Sequence, residues 1–238
     1  MDLTAPAADV TAAEARRSVH DTRSFWRLLL AVVVPLPFLA KGAYYVLVPV
    51  DGDADFAATV GAFEAHRGLL ETLKWLDAAF VVLLLPATVA IAWVARRGAP
   101  RLTTAGAAIA LAGFLFGLSL LGGVETPALV TAQHDLDRSS MSALDRTLTH
   151  EPLLGLASLL FIAGVVLGLG LLGGALLRSR AVPVWAGLCV LLGGATHPFL
   201  PTHVGQGAGL WVAAVGCVGV SAALLRMPDD AFDLPPTP

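Results

Sequence analysis

Leu28–Val50 reads LLLAVVVPLPFLAKGAYYVLVPV, twenty-three residues in which Lys41 is the sole charged side chain. A run of that length and polarity has the dimension of a helix crossing the roughly 30 Å hydrocarbon core of a bilayer. Five more stretches of this kind follow: Leu69–Ala95, Leu102–Val124, Leu153–Leu177, Ala181–Leu200 and Val204–Leu225. The expected fold is therefore all-α, a polytopic membrane bundle of six transmembrane helices.

Composition agrees. The chain is 56% hydrophobic and 14% charged, against roughly 45–50% and 25% for soluble domains. After six spans, 238 residues leave only connectors, so a site has to lie between helices or in loops. The expected division is a polar segment over residues 1–24, a membrane domain over 25–227 and a disordered tail over 228–238, where four prolines and three aspartates crowd together. Residues 1–24 show no apolar h-region or small-residue cleavage site, so the first span is expected to be a retained anchor. A net charge of −3 offers nucleic acid no attraction, and Cys189 and Cys217 fall mid-span, where no disulfide framework is indicated.

Arginine sets the expected orientation, because cytoplasmic loops keep an excess of Lys and Arg. Arg16, Arg17, Arg23 and Arg27 precede the first span; Arg96, Arg97 and Arg101 separate the second and third; Arg178 and Arg180 separate the fourth and fifth; Arg226 follows the sixth. The alternate connectors are acidic, with Asp51, Asp53, Asp55 and Glu64 in one and Glu125, Asp135, Asp137, Asp145 and Glu151 in the other. Both termini are thus expected in the cytoplasm, the acidic loops outside, and the bilayer itself is the first partner.

Each acidic loop is long enough for a short amphipathic helix. Asp53 or Asp55 can cap one in which Phe56, Val60 and Phe63 share an edge. Thr126-Pro127 supplies a cap and a first-turn proline for a second, with Met141, Leu144 and Leu148 as its apolar edge. Such segments either cover the end of the bundle or close a lid over a ligand pocket. Gly113-x-x-x-Gly117, Gly164-x-x-x-Gly168 and Gly205-x-x-x-Gly209, continued by Gly216, Gly219 and Ala223, are small-residue stripes that let helix backbones approach. Pro35 and Pro37 should kink the first span at mid-membrane.

The intramembrane charges carry the functional signal. A bare Lys or Asp near the bilayer centre costs about 2.5–3.5 kcal/mol even on the lenient insertion scale. Lys41 lies nine residues below Val50 and Asp77 eight beyond Leu69, which puts both roughly 12–13 Å from the same end of an antiparallel hairpin. An ion pair facing the bundle interior is expected. Glu71, Lys74 and Asp77 recur at i+3 and Tyr45 follows Lys41 by one turn, so a polar shaft should open outward. Such a pair can simply fix helix register, or it can mark a ligand or proton site.

Five of six histidines, His66, His134, His150, His197 and His203, gather toward the same end. None has the spacing of a helical zinc site, and the sequence calls for neither metal nor cofactor. His66, His150 and His197, with Glu125, are expected at an outer polar rim that hydrogen-bonds loop backbones or titrates near neutral pH. Nucleotide-hydrolysis, diphosphate-magnesium and metalloprotease motifs are absent from the sequence, and no inverted repeat is visible.

Around Leu177-Arg178-Ser179-Arg180-Ala181-Val182-Pro183-Val184-Trp185-Ala186-Gly187, and at Ala65-His66-Arg67-Gly68, the chain resembles a group of uncharacterised actinobacterial multi-pass membrane proteins with six helices. The resemblance covers roughly the second to fifth spans. It implies a bacterial plasma-membrane fold and supplies no activity.

Three functions fit this pattern. In the first, Lys41, Tyr45, Lys74, His66, His150 and His197 surround a small amphipathic or lipid-like ligand. In the second, Asp77, Glu71 or Glu125 is the acid of a metal-free cyclase or isomerase acting on an isoprenoid, its proton retained by burial, as in membrane terpene cyclases. In the third, the same carboxylates and histidines serve a proton-coupled transporter or pH sensor.

Overall fold

The computed structural model describes residues 22–50, 54–121 and 126–233. Among the described residues every regular element is helical. The first span is broken where its prolines predict, because neither Pro35 nor Pro37 has an N–H for the ladder. It forms α1 (Arg23–Val33) and α2 (Leu36–Leu47). A short α3 (Phe56–Ala65) leads into α4 (Arg67–Ala95) and α5 (Pro100–Leu120). Two short helices, α6 (Thr126–His134) and α7 (Arg138–Thr149), precede the fourth rod. That rod comprises α8 (Pro152–Ala163), a π-helical turn over Gly164–Gly168 and α9 (Leu169–Ser179). The chain continues through α10 (Val184–Thr196), a 3₁₀ turn (His197–Phe199), α11 (His203–Arg226) and α12 (Asp229–Phe232).

Five of these rods are long and apolar enough to cross a membrane: Arg23–Leu47, Arg67–Ala95, Pro100–Leu120, Pro152–Ser179 and His203–Arg226. The fifth expected span is shorter than its hydropathy indicated. Pro183 holds the start of α10 back to Val184, and the α-helix ends at Thr196, before His197-Pro198. The apolar rod Val184–Phe199 is therefore about 25 Å long, below the thickness of a hydrocarbon core.

Consecutive rods pack side by side, and α11 returns to α1 and α2, closing a ring. Phe38, Leu84, Ile91, Phe114, Leu172, Leu210 and Leu224 are buried within it. Backbone approaches depend on the glycine stripes. A Cβ on Gly113 would stand 2.5 Å from Leu160 O and 2.7 Å from Gly164 Cα, and one on Gly216 would stand 2.6 Å from Ala186 O. Those atoms are backbone and cannot give way, so α5 meets the π turn, and α10 meets α11, only because these positions have no side chain.

The acidic loops fold on each other as a cap over one end of the ring. Asp55 caps α3, accepting from Ala58 N at 2.8 Å. Val60, Phe63, Leu70, Ala128, Leu129 and Ala132 form a separate small core there. The second loop holds two helices where one was expected: Asp135 adopts a left-handed φ of 50° and Asp137 caps α7 through Ser140 N at 2.8 Å. Arg67 reaches Asp135 at 2.5 Å and Arg138 reaches Glu64 at 2.7 Å, fastening the second loop to α4 and to α3 of the first. No residue of α7 is buried, and Leu144 of its expected apolar edge stays exposed.

The opposite, arginine-rich end is closed by the chain beyond Pro228. Composition alone reads this stretch as a disordered tail, yet as far as Asp233 it folds back. Phe232 is buried beside Trp93, whose Nε1 donates to Phe232 O at 3.0 Å. Residues 234–238 lie outside the described residues.

Candidate functional site

The kink after α1 aims one face of α2 at α4. Lys41 Nζ on that face donates to Asp77 Oδ1 at 2.6 Å, the pair expected from the matching depths. The ammonium also lies 3.9 Å from the centroid of the Tyr44 ring, 5.0 Å from Tyr45 and 5.7 Å from Phe80. Aromatic faces attract a cation electrostatically, and more strongly where water is thin. The Lys41 side chain is only 14% exposed, so charge and quadrupole together replace much of its lost hydration.

One and two turns nearer the cap, α4 carries the other charges, Lys74 and Glu71. Lys74 lies 3.3 Å from Glu71 Oε1 and 2.6 Å from Gln133 Oε1, and Gln133 Nε2 donates back to Glu71 at 3.0 Å. Because α4 rises about 1.5 Å per residue, Lys74 sits roughly 4.5 Å and Glu71 roughly 9 Å above Asp77. The sequence reading missed Gln133, since a neutral amide in a loop helix leaves no charge pattern. It links the cap directly to α4.

Between these two polar levels and the surrounding helices lies a cavity of about 780 Å³. Its volume is within the range of small-molecule sites, about 300–1,000 Å³. Lys41, Tyr45, Glu71, Lys74, Asp77 and His197, all expected at a site, line it. Apolar walls come from Phe80 and Val81 on α4, Leu120 at the end of α5 and Leu121 just after it, Leu129 on α6, and Phe161 and Ile162 on α8. Tyr44 and Gln206 also line it. Neither was expected from the sequence, which placed Tyr45 as the aromatic residue one turn from Lys41.

The remaining expected residues are elsewhere. His66 and His150 are exposed, and each bonds through Nδ1 to a carbonyl one turn earlier, Ala62 O at 2.9 Å and Arg146 O at 2.7 Å. They finish helices α3 and α7 and do not line the cavity. His197 is buried, and its Nδ1 donates to Gly194 O at 2.9 Å. That bond fixes the ring at the cavity wall where α10 ends. Glu125 lies outside the described residues. Among the described residues, no three His, Cys, Asp or Glu side chains gather into a group that could hold a metal ion.

The arrangement bears on the chemistry expected of the carboxylates. Asp77 and Glu71 both accept hydrogen bonds from lysines, whereas an acid that protonates an alkene has to donate. What the cavity offers is a polar head region of fixed donors and acceptors continuous with an apolar wall. Compared with known proteins, the chain matches no family model, no curated protein and no solved structure.

Proposed function

We propose that this protein is a multi-pass component of a bacterial plasma membrane, with both termini cytoplasmic, that binds a small amphipathic or lipid-like molecule in the cavity between Lys41 and the cap. The observation that carries this reading is the joining, in one cavity of about 780 Å³, of the Lys41–Asp77 and Glu71–Lys74 polar groups with the Phe80, Leu121, Phe161 and Ile162 wall. The polar groups would orient a head and the wall would take a short tail. Burial of apolar ligand surface contributes about 25 cal/mol per Å², and the fixed polar groups supply selectivity.

The experiment is a comparison of organic extracts. Full-length wild type and Ser158→Phe, which places a ring in the cavity, are purified in mild detergent and their bound lipids are compared by mass spectrometry. The expected result is a compound class retained by wild type and lost in the variant while thermal stability is kept. Identical extracts from two equally stable proteins would remove the ligand reading. A reporter fused after Pro238 that is active only outside the cytoplasm tests the orientation.

A further inference from the structure

At the end of the ring away from the cavity, Arg23 and Arg27 of α1 and Arg96 and Arg97 after α4 converge on residues 227–233. Their partners differ in kind. Arg23 and Arg27 reach carboxylates, Asp233 at 3.1 Å and Asp229 at 2.6 Å, and Arg27 Nη1 also donates to Met227 O at 2.5 Å. Arg96 and Arg97 instead meet neutral backbone oxygens. Arg96 Nη2 is shared among Ala231 O at 3.1 Å, Phe232 O at 2.9 Å and Asp233 O at 3.1 Å. Arg97 Nη2 is divided between Asp230 O at 2.6 Å and Asp233 O at 3.1 Å.

One nitrogen with two hydrogens serving three carbonyls is a diluted interaction, and none of those acceptors carries a charge. Guanidinium bonds to an ionised oxygen are roughly twice as strong as bonds to neutral acceptors. The donors are nevertheless held in place. Arg96 lies 3.8 Å from the centroid of the Trp93 ring and its Nη1 donates to Trp93 O at 2.7 Å. Burial, and then the adjacent Arg97 charge, pull Arg96 below its ordinary value. These residues end a membrane-length helix, the level at which lipid headgroups lie.

The geometry points to a second binding site, formed by Arg27, Arg96 and Arg97 for the phosphate of an anionic phospholipid headgroup, which the chain's own residues 229–233 occupy as an internal competitor. For Arg96 and Arg97 the phosphate would replace the carbonyls of residues 230–233 as acceptor and bring a charge those carbonyls lack, and for Arg27 it would take the place of Asp229. Phe232 holds the competitor down: it is 8% exposed, its ring 5.7 Å from that of Trp93 and 5.8 Å from the Arg27 guanidinium. Headgroup binding and docking of Phe232 are therefore alternatives.

The test uses the full chain in nonionic detergent, titrated with phosphatidylglycerol or, as the zwitterionic control, phosphatidylcholine, with bound lipid read by native mass spectrometry. Phe232→Ala releases the competitor without touching a donor and is expected to bind more phosphatidylglycerol than wild type, with phosphatidylcholine unchanged. Asp229→Asn with Asp233→Asn, which loosens the same segment but keeps Phe232, should also bind more. Adding Arg96→Gln or Arg97→Gln to the Phe232→Ala chain should lower binding roughly fivefold per arginine, the fold-change equivalent to about 1 kcal/mol for a basic residue near an anionic surface. If neither loosened chain gains phosphatidylglycerol, the competitor idea is overturned. If millimolar inorganic phosphate removes the gained lipid completely, the site is one for a soluble anion and the headgroup assignment falls.

Discussion

Lys41 and Asp77 come from antiparallel helices joined by the α3 loop, and their charged atoms meet 2.6 Å apart beneath the cap. Each removes the desolvation problem of the other. Asp77→Asn or Lys41→Met alone leaves a charge without its counterpart and is expected to lower stability by about 1–3 kcal/mol, below the range for fully buried pairs because Asp77 is 34% exposed. The double variant should recover most of the loss. Thermal unfolding in detergent measures this, and a double variant no better than the singles would show that the two residues act independently.

Gly113 gives a sharper packing test. Gly113→Ala drives a methyl into Leu160 O and the Gly164 backbone, and should destabilise by about 1–3 kcal/mol, as overpacking does. Gly174→Ala is the control: nothing lies within 4 Å of its Cβ position, so the change should be neutral or stabilising by up to about 1 kcal/mol. Equal unfolding temperatures for the two variants would contradict the close approach of α5 to the π turn.

The cap should respond to acid at α7. Hydrogen bonds from Ser140, side chain and then backbone, and from Ser139 hold the Asp137 carboxyl at about 2, below its ordinary value near 3.8. A lowered folded value means the contribution is complete above about pH 5 and disappears as pH falls through about 2. Amide hydrogen exchange in Ser140–Leu144, corrected for its intrinsic pH dependence, should therefore be flat from pH 7 to 5 and lose protection toward pH 2. Asp137→Asn should flatten that acid response while retaining a cap. An unaltered acid response in the variant would assign it to another group.

Access to the cavity should depend on the cap's fasteners. Leu129 faces both the small cap core and the cavity, so a Leu129→Cys chain reports opening through its rate of maleimide labelling. Removing Arg67 or Arg138 breaks an exposed ion pair to Asp135 or Glu64, and each should raise labelling by a few-fold, since exposed pairs contribute little individually. Gln133→Ala, which severs α6 from Glu71 and Lys74, should do the same. Labelling as slow as in the parent chain in all three cases would mean that the cap opens elsewhere.

The sequence made the ion pair readable because helical rise turns residue counts into depth, and because lone charges in apolar spans require partners. The glycine stripes were readable for a similar reason: small residues at i, i+4 have few uses inside a membrane. Hydropathy overstated the fifth rod, as it averages over Pro183 and His197-Pro198 without registering where a ladder stops. The two-helix second loop was hidden by Asp135, since a left-handed φ is uncommon for a residue other than glycine. The folded segment at 229–233 was hidden more deeply. Many of its anchors are bonds from arginines to backbone oxygens, which leave no signature in the side chains being held, while its prolines and aspartates resemble a solvated tail.

The wide turn at Gly164–Gly168 accommodates one residue more than an α-helix would and so rotates everything after it by about 100°. Phe161 on one side stacks edge-on against Phe80 and Phe114 at the cavity wall, and Leu169, Leu172 and Leu176 on the other side enter the bundle core. The two halves of this rod are thus aimed separately, like two keys cut on one shaft. Loss of a single residue from the turn would force a uniform helix, and either the ring of Phe161 or the leucine row would swing out toward the surroundings.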